Sequence, residues 1–249
     1  MHPILFHIGS FTVYTYGFFA AVAMLAAFFA AGRRAGRLGL PASMVYDLVL
    51  LLFVSGVAGA RLFFVLQHLD DYREHPAEVL LLREGGLVWY GGFILAACAG
   101  LCYAHRRRWP VLRLCDFFAP ILAVAHAFGR LGCFFNGCCF GRVTGSSLGV
   151  LFPGETFRRL PVQIYEAALL VALAYFLDFV ASRRPREGSV FIAYLLGYST
   201  LRFGLEYLRG DQTVYAGLTP PQWTSVALFA GGVFLYFILR RRAVPGGKV

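Results

Sequence analysis

Charge is scarce in this chain. Only 14% of its 249 residues are charged, and acids are the scarcer sign, 13 against 23 basic residues. With 59% of the chain apolar, an ordinary soluble domain is excluded and a polytopic membrane protein is expected. Internal repeats and disordered linkers are also lacking, so a single transmembrane helical domain over residues 1–249 is expected. The first apolar run has no charge in front of it. Its arginines follow it, which reads as an uncleaved helix rather than a signal peptide.

What is abundant is apolar length. Seven stretches can cross a bilayer, at roughly 11–31, 45–66, 86–104, 115–135, 161–180, 189–209 and 222–240. The basic residues collect in alternate gaps: Arg33, Arg34 and Arg37; Arg106, Arg107, Arg108 and Arg113; Arg183, Arg184 and Arg186; Arg240, Arg241, Arg242 and Lys248. The gap after the second span instead carries Asp70, Asp71, Glu74, Glu78 and Glu84. By the positive-inside rule the fold is all-α, with seven transmembrane helices, the amino terminus outside and the carboxyl terminus cytoplasmic. The net charge of +10 then reflects topology and contact with anionic membrane lipids, and no nucleic-acid partner is called for. Two outer interfacial arms are expected, at about 2–11 and 67–85, and an outer loop, connector or lid, at about 143–160.

With that topology the intramembrane polar residues fall at one depth, towards the outer side. Tyr16, Arg61, Tyr90, His126, Arg130, Asn136, Arg142, Gln163, Tyr165, Glu166, Arg202, Glu206 and Gln222 all belong to this layer. A charge in hydrocarbon costs about 2.5–3.5 kcal/mol, so a shared purpose is expected. Two purposes are open. The charges could neutralise each other internally, since Arg202 and Glu206 have i,i+4 spacing. Arginines nevertheless outnumber acids here, which suits an anionic ligand, and a planar guanidinium suits phosphate.

The stretch GRLGCFFNGCCFGR, Gly129 to Arg142, concentrates this chemistry. Gly129 and Gly132 permit close helix approach, and Asn136-Gly137 favours a turn that ends the helix. Arg130 and Arg142 flank that turn. The combination points to a lipid phosphate.

The same stretch resembles the signature of the prolipoprotein diacylglyceryl transferase family, of the form G-R-x-G-N-F-x-N-G-E-x-x-G-R. It matches at Gly129, Arg130, Gly132, Phe134, Asn136, Gly137, Gly141 and Arg142. Further likeness runs through Tyr16-Gly17, GARL with Arg61, GGLVWYGG, PVQIYE, RFGLEYLR and Gln222. Three positions depart: Cys133 stands for an Asn, Cys138 for a Glu, and Tyr90 for a His.

The resemblance implies an enzyme of the bacterial cytoplasmic (inner) membrane that moves diacylglyceryl from phosphatidylglycerol to the lipobox cysteine of a prelipoprotein. It implies a thiol attack that releases glycerol-1-phosphate, with no cofactor and no metal. Arg130 and Arg202 are then expected at the phosphate, with Glu206 holding Arg202. Tyr90 or His126 would be the base. Tyr16, Arg61, Asn136, Gly137, Gly141, Arg142, Gln163, Tyr165, Glu166 and Gln222 would bind substrate.

The six cysteines divide into Cys98, Cys102 and Cys115, read as small apolar filler, and Cys133, Cys138 and Cys139 at the polar layer. The second group keeps rival readings open. These are a disulfide-based membrane redox protein, a soft-metal site with His126, and a non-catalytic lipid binder.

Overall fold

A computed structural model of the chain describes residues 4–8, 11–38, 40–74, 76–80, 86–183, 185–210 and 212–242. Parts of both expected arms (2–3, 9–10, 75 and 81–85), together with Arg184 and Lys248 of the basic gaps, lie outside the described residues.

Each of the seven apolar stretches forms a helix. These are α1 (Thr15–Leu38), α2 (Ala42–Gln67), α4 (Trp89–Arg106), α5 (Val111–Asn136), α6 (Val162–Ser182), α7 (Ser189–Glu206) and α8 (Pro220–Arg242). The short α3 (Leu69–Glu74) and a 3-10 turn at Pro76–Leu80 fall in the expected second arm. Among the described residues five helices, α1, α2, α5, α6 and α8, are long and apolar enough to cross a membrane, and the molecule is a multi-pass membrane protein. The fold is helical as expected, with one addition. The amino-terminal arm is a β-hairpin, β1 (Ile4–Ile8) and β2 (Phe11–Tyr14), paired antiparallel with His7 opposite Thr12. Its β-branched and aromatic residues prefer a pleated ribbon to a helix.

The chain divides into two compact units, the cuts running through α1 and the first turn of α5. Unit 1 is Met1–Ala27 with Cys115–Val249, and unit 2 is Phe28–Leu114.

Unit 2 rests on glycine contacts between α2 and α4. A Cβ on Gly59 would collide with the carbonyl oxygen of Gly91, and one on Gly92 would lie 2.8 Å from that of Gly56. Such close backbone approach is how apolar helices gain dispersion energy where no hydrophobic effect separates them from lipid. At the end of α2, Arg61 is buried and clamps the following arm. Its Nε donates to the Val79 carbonyl (2.8 Å), Nη2 to that of Glu78 (2.7 Å) and Nη1 to that of Gly86 (3.2 Å).

Unit 1 has an apolar end and a polar end. The apolar core joins Ala119 and Ala123 of α5 to Leu173, Ala174 and Leu177 of α6 and Val190 of α7. Asp116, near the start of α5, caps α7 by accepting from the Gly188 N–H (2.6 Å) and the Phe191 N–H (2.7 Å). This supplies acceptors for donors that the first helical turn cannot satisfy itself. Large side chains on the outer faces, such as Tyr175 and Phe234 at 74% and 68% exposure, fit hydrocarbon surroundings.

Candidate functional site

The polar end of unit 1 is built where α5 stops. Gly137 takes the left-handed conformation (φ 75°), its N–H donates to the Phe134 carbonyl, and the Cys138 N–H donates to that of Cys133, both at 3.1 Å. This is a Schellman pair, which satisfies helix-end carbonyls and folds the residue after the glycine back onto the last turn. Cys138 therefore returns beside Cys133. Cys139 follows with φ 64°, a conformation that costs a non-glycine residue about 1 kcal/mol or more. The Sγ atoms of Cys133, Cys138 and Cys139 lie within 4.8 Å of one another, and all three thiols are free. Hydrogen bonds with its two neighbouring thiols, then the Arg209 and Arg130 charges, hold the Cys139 thiol below the ordinary cysteine range against burial.

The loop that follows is pinned rather than loose. The Gly141 N–H donates to the Leu160 carbonyl (2.8 Å), Arg142 to Leu208 (2.9 Å) and Thr144 to Arg158 (2.9 Å). A Cβ on Gly141 would sit 2.7 Å from the Leu208 carbonyl oxygen, so only glycine fits this approach. Phe152, at 1% exposure, packs on Phe134 and Phe140. The completely buried Gln163 donates from Nε2 to the Cys138 carbonyl at 2.6 Å, tying α6 to the cysteine turn.

Beneath the turn the charges converge. Arg130 Nε is 3.0 Å from Glu166 Oε2, and His126 Nε2 is 3.7 Å from Glu166 Oε1. On α7, Arg202 Nη1 is 2.8 Å from Glu206 Oε2. Both guanidinium charges act on His126 and on Tyr198, so α5 and α7 face one shared space. The Tyr198 ring lies 5.4 Å from the His126 ring. Tyr16, 48% exposed, has its ring against Gly132 and lies within electrostatic reach of Arg130 and the three cysteines.

The pairs do not exhaust the donors. Arg130 meets its carboxylate through Nε and Arg202 through Nη1, one nitrogen of a guanidinium that carries five N–H donors, while Arg209 Nε and Gln163 Oε1 are buried without a hydrogen bond. Buried polar atoms are nearly always hydrogen-bonded, and exceptions concentrate where ligands act. Of the two purposes considered for the charges, internal pairing is present, and each pair engages only part of its guanidinium fork. Beside this space, between α7 and α8, lies a cleft of about 320 Å³ lined by Ser199, Phe203, Val226, Phe229 and Ala230. Its hydroxyls are spent on helix carbonyls, Ser199 on Leu195 and Ser225 on Pro221, leaving an apolar wall.

The profile of prolipoprotein diacylglyceryl transferase matches residues 3–238. The chain belongs to the prolipoprotein diacylglyceryl transferase family. It is similar to proteins named phosphatidylglycerol–prolipoprotein diacylglyceryl transferase: one from Clostridium tetani, 30% identical over 97% of this chain and 99% of that one; one from Bordetella bronchiseptica, 34% identical over 96% and 95%; and one from Verminephrobacter eiseniae, 35% identical over 96% and 94%.

Of the site residues that the family resemblance implied, unit 1 brings together Tyr16, His126, Arg130, Glu166, Arg202 and Glu206 around one space. Asn136 is half-buried and its side chain reaches the Cys138 thiol. Arg142 is exposed, and Tyr165 is half-buried. Gln222 has a structural task. Its Oε1 accepts from the Thr219 N–H (3.0 Å) while its own N–H donates to Thr219 Oγ1 (3.4 Å), the capping box that starts α8. Thr219 Oγ1 in turn donates to Glu206 Oε1 at 3.0 Å. Arg61 and Tyr90 belong to unit 2, where Arg61 clamps the arm and Tyr90 opens α4 with 62% exposure. His126 faces Glu166 and Tyr198, and the cation-capable cluster consists of the three cysteines without it.

Two residues escaped the sequence reading. Tyr198 stands four before Arg202 on one helical face, and Thr219 opens a T-x-x-Q capping sequence. Both signals are present in the letters.

Proposed function

We propose that this family member transfers diacylglyceryl from phosphatidylglycerol to the lipobox cysteine thiol of prelipoproteins, forming a thioether and releasing glycerol-1-phosphate. The observation that carries the reading is the convergence of Arg130 and Arg202, each steadied by a buried carboxylate, around His126 and Tyr198. The two guanidinium groups hold the headgroup phosphate and stabilise charge on it as the carbon–oxygen bond breaks. Glu166 and Glu206 aim them. The apolar cleft beside Phe203 suits an acyl chain. Asn136 and Gln163 border the glycerol end, and His126 receives the acceptor thiol's proton.

The protein crosses the bacterial inner membrane seven times, α4 and α7 included, with the amino terminus outside, the carboxyl terminus cytoplasmic and the site towards the outer compartment. The alternating arginine clusters support this orientation. The test is lipidation of a model prelipoprotein by the purified protein in phosphatidylglycerol membranes, with released glycerol phosphate measured in parallel. Stoichiometric thioether and glycerol phosphate are expected. Phosphatidylglycerol binding without either product would make the protein a lipid binder.

A further inference from the structure

Three thiols in one small volume need a chemical explanation. Neutral thiols are weak donors and weak acceptors, so their mutual contacts compensate little for holding them together. The arrangement is nevertheless enforced. The Schellman pair sets Cys133 beside Cys138, Gln163 fixes the Cys138 carbonyl, and Cys139 is kept at a positive φ that a cysteine disfavours. Thiolates draw together around a soft cation. Zinc–sulfur bonds of about 2.3 Å in tetrahedral array place sulfurs about 3.8 Å apart, and sulfurs already within 4.8 Å of one another reach that spacing by small side-chain rotations.

Three protein ligands leave one position of a tetrahedral ion open, which is the pattern of a reactive rather than a purely structural zinc. The neighbourhood says what fills it. Arg130, at the phosphate subsite, lies within electrostatic reach of Cys133 and Cys139, and Arg209 acts on Cys139. A sulfur bound beside the cysteines would therefore face a phosphate-bearing carbon held by Arg130. Two cations also offset the excess negative charge that four thiolates place on one divalent ion.

We propose that Cys133, Cys138 and Cys139 form a thiolate site for a zinc-class divalent cation whose open position takes the acceptor thiol. The substrate class at this position rests on the transferase reading above. A free thiol ionises near pH 8.5, whereas a thiol bound to zinc is deprotonated outright. On binding, the acceptor S–H gives its proton to the base. A sulfur electron pair then forms the bond to the glyceryl carbon, and the carbon–oxygen bond breaks with its pair remaining on the glycerol phosphate. The cation keeps its oxidation state and releases the neutral thioether, a poorer ligand.

The test uses the full-length protein purified in phosphatidylglycerol nanodiscs without chelator. Metal analysis is expected to find one zinc per chain. Exchange with cobalt(II) is expected to give intense near-ultraviolet sulfur-to-cobalt bands. Cys133→Ser, Cys138→Ser and Cys139→Ser each lose the metal, Cys98→Ser and Cys115→Ser keep it, and Cys139→His keeps it with a shifted cobalt spectrum, which separates ligand loss from misfolding. A lipobox peptide shifts the visible cobalt bands, and the same peptide with serine for cysteine does not. The proposal is overturned by absence of bound metal with all three thiols titratable, by a disulfide between any two of them, or by full lipid transfer after complete metal removal. In that last case the transferase reading stands alone. Stoichiometric metal that responds to the peptide without any lipid transfer would keep the site and sink the transferase reading instead.

Discussion

Arg61 in unit 2 and Arg130 and Arg202 in unit 1 are all largely enclosed on apolar helices, yet their guanidinium groups are used differently. Arg61 spends its Nε, Nη1 and Nη2 on the carbonyls of Val79, Gly86 and Glu78. Its charge holds an arm in shape. Arg130 and Arg202 each meet a carboxylate through a single nitrogen, Nε and Nη1 respectively, which engages only part of a five-donor guanidinium. A buried arginine with its donors committed to backbone is structural; one aimed by an acid with donors to spare is prepared for an anion.

The sharpest way to break this comparison is to neutralise each arginine in turn. Arg130→Gln and Arg202→Gln are expected to lower transfer per folded molecule about 100- to 1,000-fold, the size of losing one preorganised donor at developing charge, beyond a stability loss of about 3–5 kcal/mol from leaving Glu166 or Glu206 buried without its cation. Comparable loss in Arg61→Gln, per folded molecule, would erase the distinction. For Arg61→Gln the expected effect is on stability instead, about 1–3 kcal/mol from carbonyls left without their donor. Thermal unfolding in detergent and faster proteolysis around residues 76–80 would register it.

Smaller changes sharpen the picture within unit 1. Gly137→Ala forces a Cβ into the left-handed region at a cost of about 1–2 kcal/mol and loosens the return of Cys138. Its signature is slower transfer together with altered reactivity of Cys138 towards a maleimide. Thr219→Ala removes both the α8 cap and the hydrogen bond to Glu206, costing about 1 kcal/mol. A modest rise in KM for phosphatidylglycerol would mean that the cap helps to hold the Glu206–Arg202 pair, whereas an unchanged KM would limit Thr219 to the helix start.

Much of this site was legible from periodicity and charge. Arg202 and Glu206 share a helical face by spacing alone, and Asn136-Gly137 announces the end of α5. Partners from distant segments were not legible. Glu166 was expected at substrate, and only the packing of α6 on α5 sets it between Arg130 and His126. Gln222 was expected at substrate too, although the T-x-x-Q spacing from Thr219 already describes a cap. The strand pair 4–8 and 11–14 was hidden because a short arm of mixed apolar and polar residues reads equally as interfacial coil.

The letters by themselves determined that the chain lives in a membrane, where its helices run, and that arginine, carboxylate and thiol chemistry accumulates near one turn. These follow from composition and local geometry, which act over a few residues. The tertiary structure decided that Arg130 is paired with Glu166 and that Arg61 is spent on the backbone of the following arm. Those outcomes depend on distances between segments far apart in sequence, and only packing sets them.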